Sequence, residues 1–187
     1  MNKIHAKLFL VPALAAILTG CASEPTRFSS GPIKAHTFSF VKMDDTKQAD
    51  YADKRAEIHT LVQGAIDKTL AGKGLTEVPA NGDVNVLYLI IISNGATTQT
   101  INDYFGYSGG AYELEGKAHQ AFAEDNRNPT GYPAGTLVID IVDPAKRTVL
   151  WRNFVYRPIL NDLPMDKRQE RLQEAVNEVF KTLPLAK

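Results

Sequence analysis

The chain has 187 residues, with 21 Lys and Arg against 21 Asp and Glu, and one cysteine. Its charges are interspersed, so the sequence carries no basic footprint for nucleic acid and no basic run for anionic lipid. One thiol excludes an internal disulfide, and the length suits a single domain whose core needs no covalent staple.

Lys3 and Lys7 precede an uncharged run, Leu8 to Leu18 (LFLVPALAAIL), which ends in Thr19-Gly20. Basic residues, an apolar core and small residues in that order form a secretory signal over residues 1–20. The apolar core is about 11 residues where a membrane-spanning helix needs roughly 20, so a retained span is not expected. Leu18-Thr19-Gly20-Cys21 resembles the bacterial lipobox. That resemblance implies cleavage before Cys21, a diacylglycerol on its sulfur and acylation of the new amine. The competing reading is a leftover thiol beside an ordinary secretion cut. Several acyl chains on one residue would hold a protein firmly, since one chain alone binds only weakly. By resemblance to enterobacterial sorting, Ala22 favours the outer membrane. The expected location is therefore the periplasmic face of that membrane, with the lipid at Cys21 as the membrane contact.

Residues 22–34 (ASEPTRFSSGPIK) lack an apolar period and are rich in Ser, Pro and Gly, so residues 21–34 are expected to be a lipidated, flexible tether. A single domain then fills 35–187. Its first strand is predicted at 36–42, with Phe38 and Phe40 on one face. A helix is predicted from about 51 to 73, with Asp50 as its cap. Ile58, Leu61, Val62, Ala65, Ile66 and Leu70 form its apolar stripe. Gly64 lies inside that helix at a cost of about 1 kcal/mol relative to Ala, and close packing on a sheet would account for it. A short strand at 75–78 precedes the Asn81-Gly82 turn. Val84 to Ile92 (VNVLYLIII) is then the strongest strand, apolar on both faces over its second half and hence central. Residues 136–142 and 148–156 flank Asp143-Pro144 as a hairpin. A closing helix runs from about 164 to 183, with Pro184 beyond it.

That order predicts an α+β fold: an antiparallel or mixed sheet of about five or six strands with two helices packed on one face. "GKGLTEV" (Gly72 to Val78), "GDVNVLYLI" (Gly82 to Ile90) and "GTLVIDIVDPAKRTVLWR" (Gly135 to Arg152) give the chain a further likeness. Together with the terminal "VFKTLP", they resemble the bacterial envelope lipoproteins of the domain of unknown function 4136 family. Asn153 departs from the Gly expected after Trp-Arg, and the hairpin turn lacks its usual Gly. The family carries no established activity, so the resemblance implies a fold and an address and supplies no catalytic residues.

The residues themselves offer little chemistry. His36, His59 and His119 lie in different elements, and no pair has metal-ligand spacing, so neither metal nor cofactor is expected. There is no G-x-S-x-G elbow, Ser93-Asn94-Gly95 reads as a turn, and GYSGG (106–110) lacks the Lys-Ser/Thr of a phosphate loop. Asp140 at mid-strand needs a partner or water, because an unpaired buried charge is costly. Arg152 on the next strand is the natural partner for a structural pair; a solvated face and a ligand-binding carboxylate are the alternatives. Trp151 is expected to anchor the core rather than to serve as a sugar platform.

The stretch 94–134 exceeds the usual loop length and places Tyr104, Phe105, Tyr107, Tyr112 and Tyr132 among Gly and Asn, a binding-loop composition. The bland alternative is a lid whose aromatics cover the free sheet face, with "YELEG" adding a strand. The functional expectation is a non-catalytic binding or assembly module of the envelope, partnered by an envelope protein, peptidoglycan or a second copy. The rival is an envelope hydrolase acting on cell-wall or lipid substrates beneath the aromatic loop.

Overall fold

A computed structural model describes residues 27–41, 49–93, 96–107 and 131–186. The strands are β1 (Phe28–Ser29), β2 (Thr37–Phe40), β3 (Thr76–Glu77), β4 (Val84–Ile91), β5 (Thr136–Asp143) and β6 (Thr148–Tyr156). They form one mixed sheet in the order β1-β6-β5-β4-β2-β3. β2 runs parallel to both β3 and β4, while β4, β5, β6 and β1 pair antiparallel. The helices are α1 (Ala56–Ala71), α2 (Thr98–Tyr104) and α3 (Met165–Val179), the last followed by a 3-10 turn, Phe180–Thr182.

Strand alternation divides the core in two. On one face, Phe38, Val86, Ile139 and Trp151 pack against Val62 and Ile66 of α1 and Val176 and Val179 of α3. These are the two helices that periodicity predicts; α1 buries Ile58, Val62, Ala65, Ile66 and Leu70 of its expected stripe and leaves Leu61 half-buried, and α3 buries Ala175, Val176 and Val179. Trp151 is a core residue, stacked on Phe180 at 5.6 Å between ring centroids. On the other face, Leu87, Leu89, Ile91, Val138 and Val142 are covered by Ala96, Ile101, Phe105 and Tyr132. One β-bulge connects the two systems. Between Ile141 and Val142 the register on β6 skips from Trp151 to Val149, so Leu150 is the extra residue and Val149 turns to the second face.

Three expectations need correction. First, α1 begins at Ala56, not near Tyr51, and Asp50 does not cap it. Residues 51–53 instead lie along the free upper edge of β4: Ala52 bridges Ile91, the Asp53 amide donates to the Ile90 carbonyl (2.8 Å), and the Ile92 amide donates to the Tyr51 carbonyl (2.8 Å). β2 pairs only with the first part of β4, so the remaining edge groups need partners, and this strap supplies them. Second, Phe28, Ser29 and Ile33 belong to the folded domain and not to a flexible tether. Phe28 and Ser29 pair with Arg152 and Trp151, and Ile33 is buried and bridges Leu185. Third, Gly64 is exposed on α1, and a Cβ built there meets nothing within 4 Å. No close packing accounts for it.

The family-like motifs have local physical reasons. The Asp83 carboxylate accepts from the amides of His36 (2.8 Å) and Thr37 (3.0 Å), which ties the start of β2 to β4. Those two amide bonds hold its carboxyl below the usual range. In the hairpin turn, the Asp143 side chain accepts from the amides of Ala145 (2.9 Å) and Lys146 (3.0 Å), and Arg147 takes the left-handed conformation that Gly would normally take (φ 55°). Gly135 has φ 94°, and a Cβ there would sit 2.0 Å from the Arg157 carbonyl oxygen.

Two glycine substitutions should therefore move in opposite directions in urea denaturation. Gly64→Ala is expected to stabilise by about 0.5–1 kcal/mol through helix propensity alone. Gly135→Ala is expected to destabilise by roughly 2–4 kcal/mol, because both its backbone angle and the facing carbonyl oppose a side chain.

Candidate functional site

On the second face, β5 and β6 place Asp140 directly opposite Arg152, and both side chains are fully buried. Arg152 Nε donates to Asp140 Oδ1 and its terminal nitrogen to Oδ2, each at 2.7 Å. The Tyr107 hydroxyl donates to Oδ2 at 2.6 Å, and the remaining Arg152 fork reaches Asn102 Oδ1 of α2 at 2.9 Å. The guanidinium lies over the rings of Phe105 and Tyr107, 5.9 and 5.8 Å from their centroids. Burial works against the Arg152 charge, yet the contact with Asp140 holds its pKa above the ordinary arginine value. Burial and the Asp140 charge push the Tyr107 phenol well up, so it stays a neutral donor. Both oxygens of Asp140 are engaged by these donors. The knot is an anchor that pins the segment 102–107 to the sheet.

The aromatic residues singled out by composition divide accordingly. Phe105, Tyr107 and Tyr132 are buried in the second core and Tyr104 is half-buried, so these residues cover the sheet. Tyr132 meets Phe154 edge-on at 5.2 Å. Tyr112 and "YELEG" lie outside the described residues, as do Leu18, Thr19, Gly20 and Cys21. Sequence reading missed α2. Its signal is Thr97 with Thr100: the Thr97 side chain accepts from the Thr100 amide (3.1 Å) and the Thr100 hydroxyl accepts from the Thr97 amide (2.8 Å), a reciprocal cap. Ile101 and Phe105, four apart, supply the buried side.

Asn153, the residue that departs from the expected Gly, also has an assignable role. Its side-chain amide donates to the Val179 carbonyl at the end of α3 (2.8 Å), and its oxygen accepts from Arg27 Nε (2.8 Å). Arg27 stacks on Phe154, 4.1 Å from the ring centroid. Because β1 is antiparallel to β6, Arg27 lies on the Tyr156 side of Phe28.

That same end carries a cleft of about 150 Å³ between the start of α1, the start of α3 and the chain after β6. Ile91, Leu137, Val155 and Leu172 line its apolar interior. Ile92, Ile159 and Leu160 at its mouth are 38%, 43% and 48% exposed. Arg55, Arg157, Arg168 and Arg171 surround it with Asp53 as the one carboxylate. Arg168 and Arg171 are neighbours on α3, and only the fold brings Arg55 and Arg157 to them. Arg55 forks onto Asp53 (2.5–3.2 Å), which is itself buried. Burial pushes the Asp53 carboxyl up, but the Arg55 bonds outweigh it and hold it below the usual range. Behind it, His59 Nε2 meets the Asp53 carbonyl (2.7 Å) and Nδ1 meets the Tyr88 hydroxyl (3.0 Å). Burial pushes the Tyr88 phenol up to about 12. Among the described residues, no cluster of His, Cys, Asp and Glu could hold a metal ion.

A family model described as Domain of unknown function (DUF4136) matches residues 25–185. The crystal structure of a DUF4136 family protein from Bacteroides thetaiotaomicron is similar in fold, with 16% identity and a TM-score of 0.51 over 80% of this chain and 88% of that one. A PDZ domain protein from Parabacteroides distasonis aligns at 20% identity and a TM-score of 0.44. That alignment covers 82% of this chain and 32% of that one, so this chain spans about a third of its length. A PelC dodecamer from Paraburkholderia phytofirmans aligns at 10% identity and a TM-score of 0.45, over 88% of this chain and 96% of that one. No curated protein was found to match.

Removing one partner of the buried pair should be severe. Asp140→Ala or Arg152→Ala is expected to cost about 3–5 kcal/mol in chemical denaturation, because the other charge is left without compensation. Replacing the group together, as Asp140→Leu, Arg152→Met and Tyr107→Phe, should recover most of that loss. Alkaline pH gives a second test. The fold favours the neutral Tyr88 phenol, so its contribution is intact below the ordinary tyrosine value of 10.0 and is lost as pH rises through about 12. Denaturation curves across that window should show Tyr88→Phe losing less stability than the parent, by on the order of 2 kcal/mol.

Proposed function

The chain belongs to the DUF4136 family, and from that premise we propose that it is a non-catalytic binding module of the bacterial envelope, held at a membrane through lipid on Cys21. The observation that carries this reading is positional. Arg27, the first described residue, is fixed to Asn153 and Phe154, on the half of β6 that leads to the arginine-rimmed cleft. The six residue steps from Cys21 to Arg27 reach at most about 20 Å. A lipid on Cys21 would therefore keep that end of the domain close to the bilayer, with the apolar cleft mouth near the surface. Ala22 supports the outer membrane and its periplasmic face. An envelope protein or peptidoglycan would then be met by this end rather than by Phe105, Tyr107 and Tyr132.

A hydrolase working beneath the aromatic segment has less support. Such an enzyme needs a base free to take a proton and a nucleophile beside it. The carboxylate under that segment is bound at both oxygens by Arg152 and Tyr107.

Replacing Cys21 by Ser should move the protein from the membrane fraction to the soluble fraction of lysed cells. The wild-type mature chain should have a mass equal to residues 21–187 plus a diacylglycerol and an acyl group. A bare mature mass, with membrane retention unchanged by Cys21→Ser, would overturn the anchor.

A further inference from the structure

We propose that the cleft at the Tyr156 end of the sheet binds a single-chain anionic amphiphile, with its tail in the apolar interior and its carboxylate or phosphate head among Arg157, Arg168 and Arg171. This names a ligand class for the binding module above, and it rests on that reading only in taking the domain to bind rather than to react.

Three observations carry it. The first is size and lining. A cleft of about 150 Å³ with Ile, Leu and Val on its inner walls has the volume of a cavity that takes a benzene-sized guest, so about six carbons of a tail fit inside. Ile159 and Leu160, roughly half exposed at the mouth, give the remaining carbons an apolar surface to follow.

The second is charge. Four guanidiniums face one carboxylate around the lining, and Asp53 is already taken by Arg55. Arg157 is paired to Glu178. Arg168 and Arg171 are held by backbone carbonyls alone: Arg168 donates to Leu163 (2.9 Å) and Asn161 (2.7 Å), and Arg171 to Pro158 (3.1 Å). Among the described residues, no carboxylate lies within ion-pair distance of either. Each guanidinium has five N–H donors, so these bonds orient the two forks and leave donors for an anion. A cationic or uncharged amphiphile would leave this excess unmatched.

The third is rigidity. The chain that forms one wall returns directly from β6, where the Arg157 amide donates to the Gly135 carbonyl (2.9 Å) and the Gly135 amide to the Ile91 carbonyl (2.7 Å). The floor of the cleft is thus part of the sheet's own hydrogen bonding, and a ligand need not order it.

Calorimetric titration of the full-length Cys21→Ser chain with decanoate, decyl phosphate and decyltrimethylammonium, each below its micelle concentration, tests the proposal. Saturable one-to-one binding of the two anions is expected, roughly tenfold or more tighter than that of the cation. Hexanoate should bind on the order of 100-fold more weakly than decanoate, as fewer methylenes leave water. Arg168→Gln with Arg171→Gln should erase the preference for anions. Leu160→Ser should weaken anion and cation alike, and both variants should retain the parent circular dichroism and unfolding midpoint. No saturable binding of either anion, or equal binding of anion and cation, would overturn the proposal. So would co-sedimentation with phosphatidylglycerol vesicles in the absence of monomer binding, which would make this end a bilayer-contact face. The titration does not depend on the lipid at Cys21. Its failure with Cys21→Ser still released would remove the ligand class alone, and retention of Cys21→Ser on membranes with decanoate still bound would remove the anchor alone.

Discussion

The buried pair of Asp140 and Arg152 is the constraint around which the second face is built. Two charges on adjacent strands point to the side of the sheet that the long helices leave open. Neither can remain there without water unless every oxygen and most of the guanidinium donors are matched. The segment 102–107 supplies the match through Asn102 and Tyr107, and in doing so it carries Phe105 onto the sheet. The aromatic cover and the ion pair therefore require one another: the cover excludes water from the charges, and the charges fix where the cover sits. A pair of this type adds little net stability over an apolar core of the same shape, but it specifies a single docking position for the segment.

Backbone geometry sets the other end of the molecule. The sheet is irregular at its Tyr156 end, where β2 no longer reaches β4 and the chain on both sides of α1 and β6 must find partners. The strap 51–53 closes the β4 edge, and Gly135 lets the chain approach the Arg157 carbonyl closely. These solutions bring the segment before α1 and the segment after β6 to either side of one apolar gap, with α3 behind it. The cleft is thus the space left where three connections converge, and its arginines are those placed near the starts of α1 and α3 and after β6. Loops held on a rigid sheet are where binding groups usually accumulate.

The fold also bears on how a family without a known reaction can be functionally constrained. The motifs that carry this chain's likeness to the family explain themselves by structure: Asp83 ties two strands, Asp143 organises a turn, and Trp151 fills the helix-side core. Asn153, which links Arg27 to the end of α3, helps to hold the amino-terminal edge of the domain and the last helix together.

The sequence by itself determined β2 to β6, the two long helices and the α+β class, because hydrophobic periodicity is a local signal that survives without contacts, and its motifs carried the likeness to the family. It also made Asp140 and Arg152 natural partners, since each needed a neutral or opposite neighbour on an adjacent strand. The start of α1, the inclusion of Phe28 to Ile33 in the domain and the role of the 94–134 aromatics were decided only by tertiary structure. Each depends on an unpaired sheet edge or a bare sheet face created by distant strands. The cleft was illegible for the same reason: Arg55, Arg157, Arg168 and Arg171 are ordinary surface charges in a linear reading, and become a single cationic rim only when β6 brings the two helix starts together.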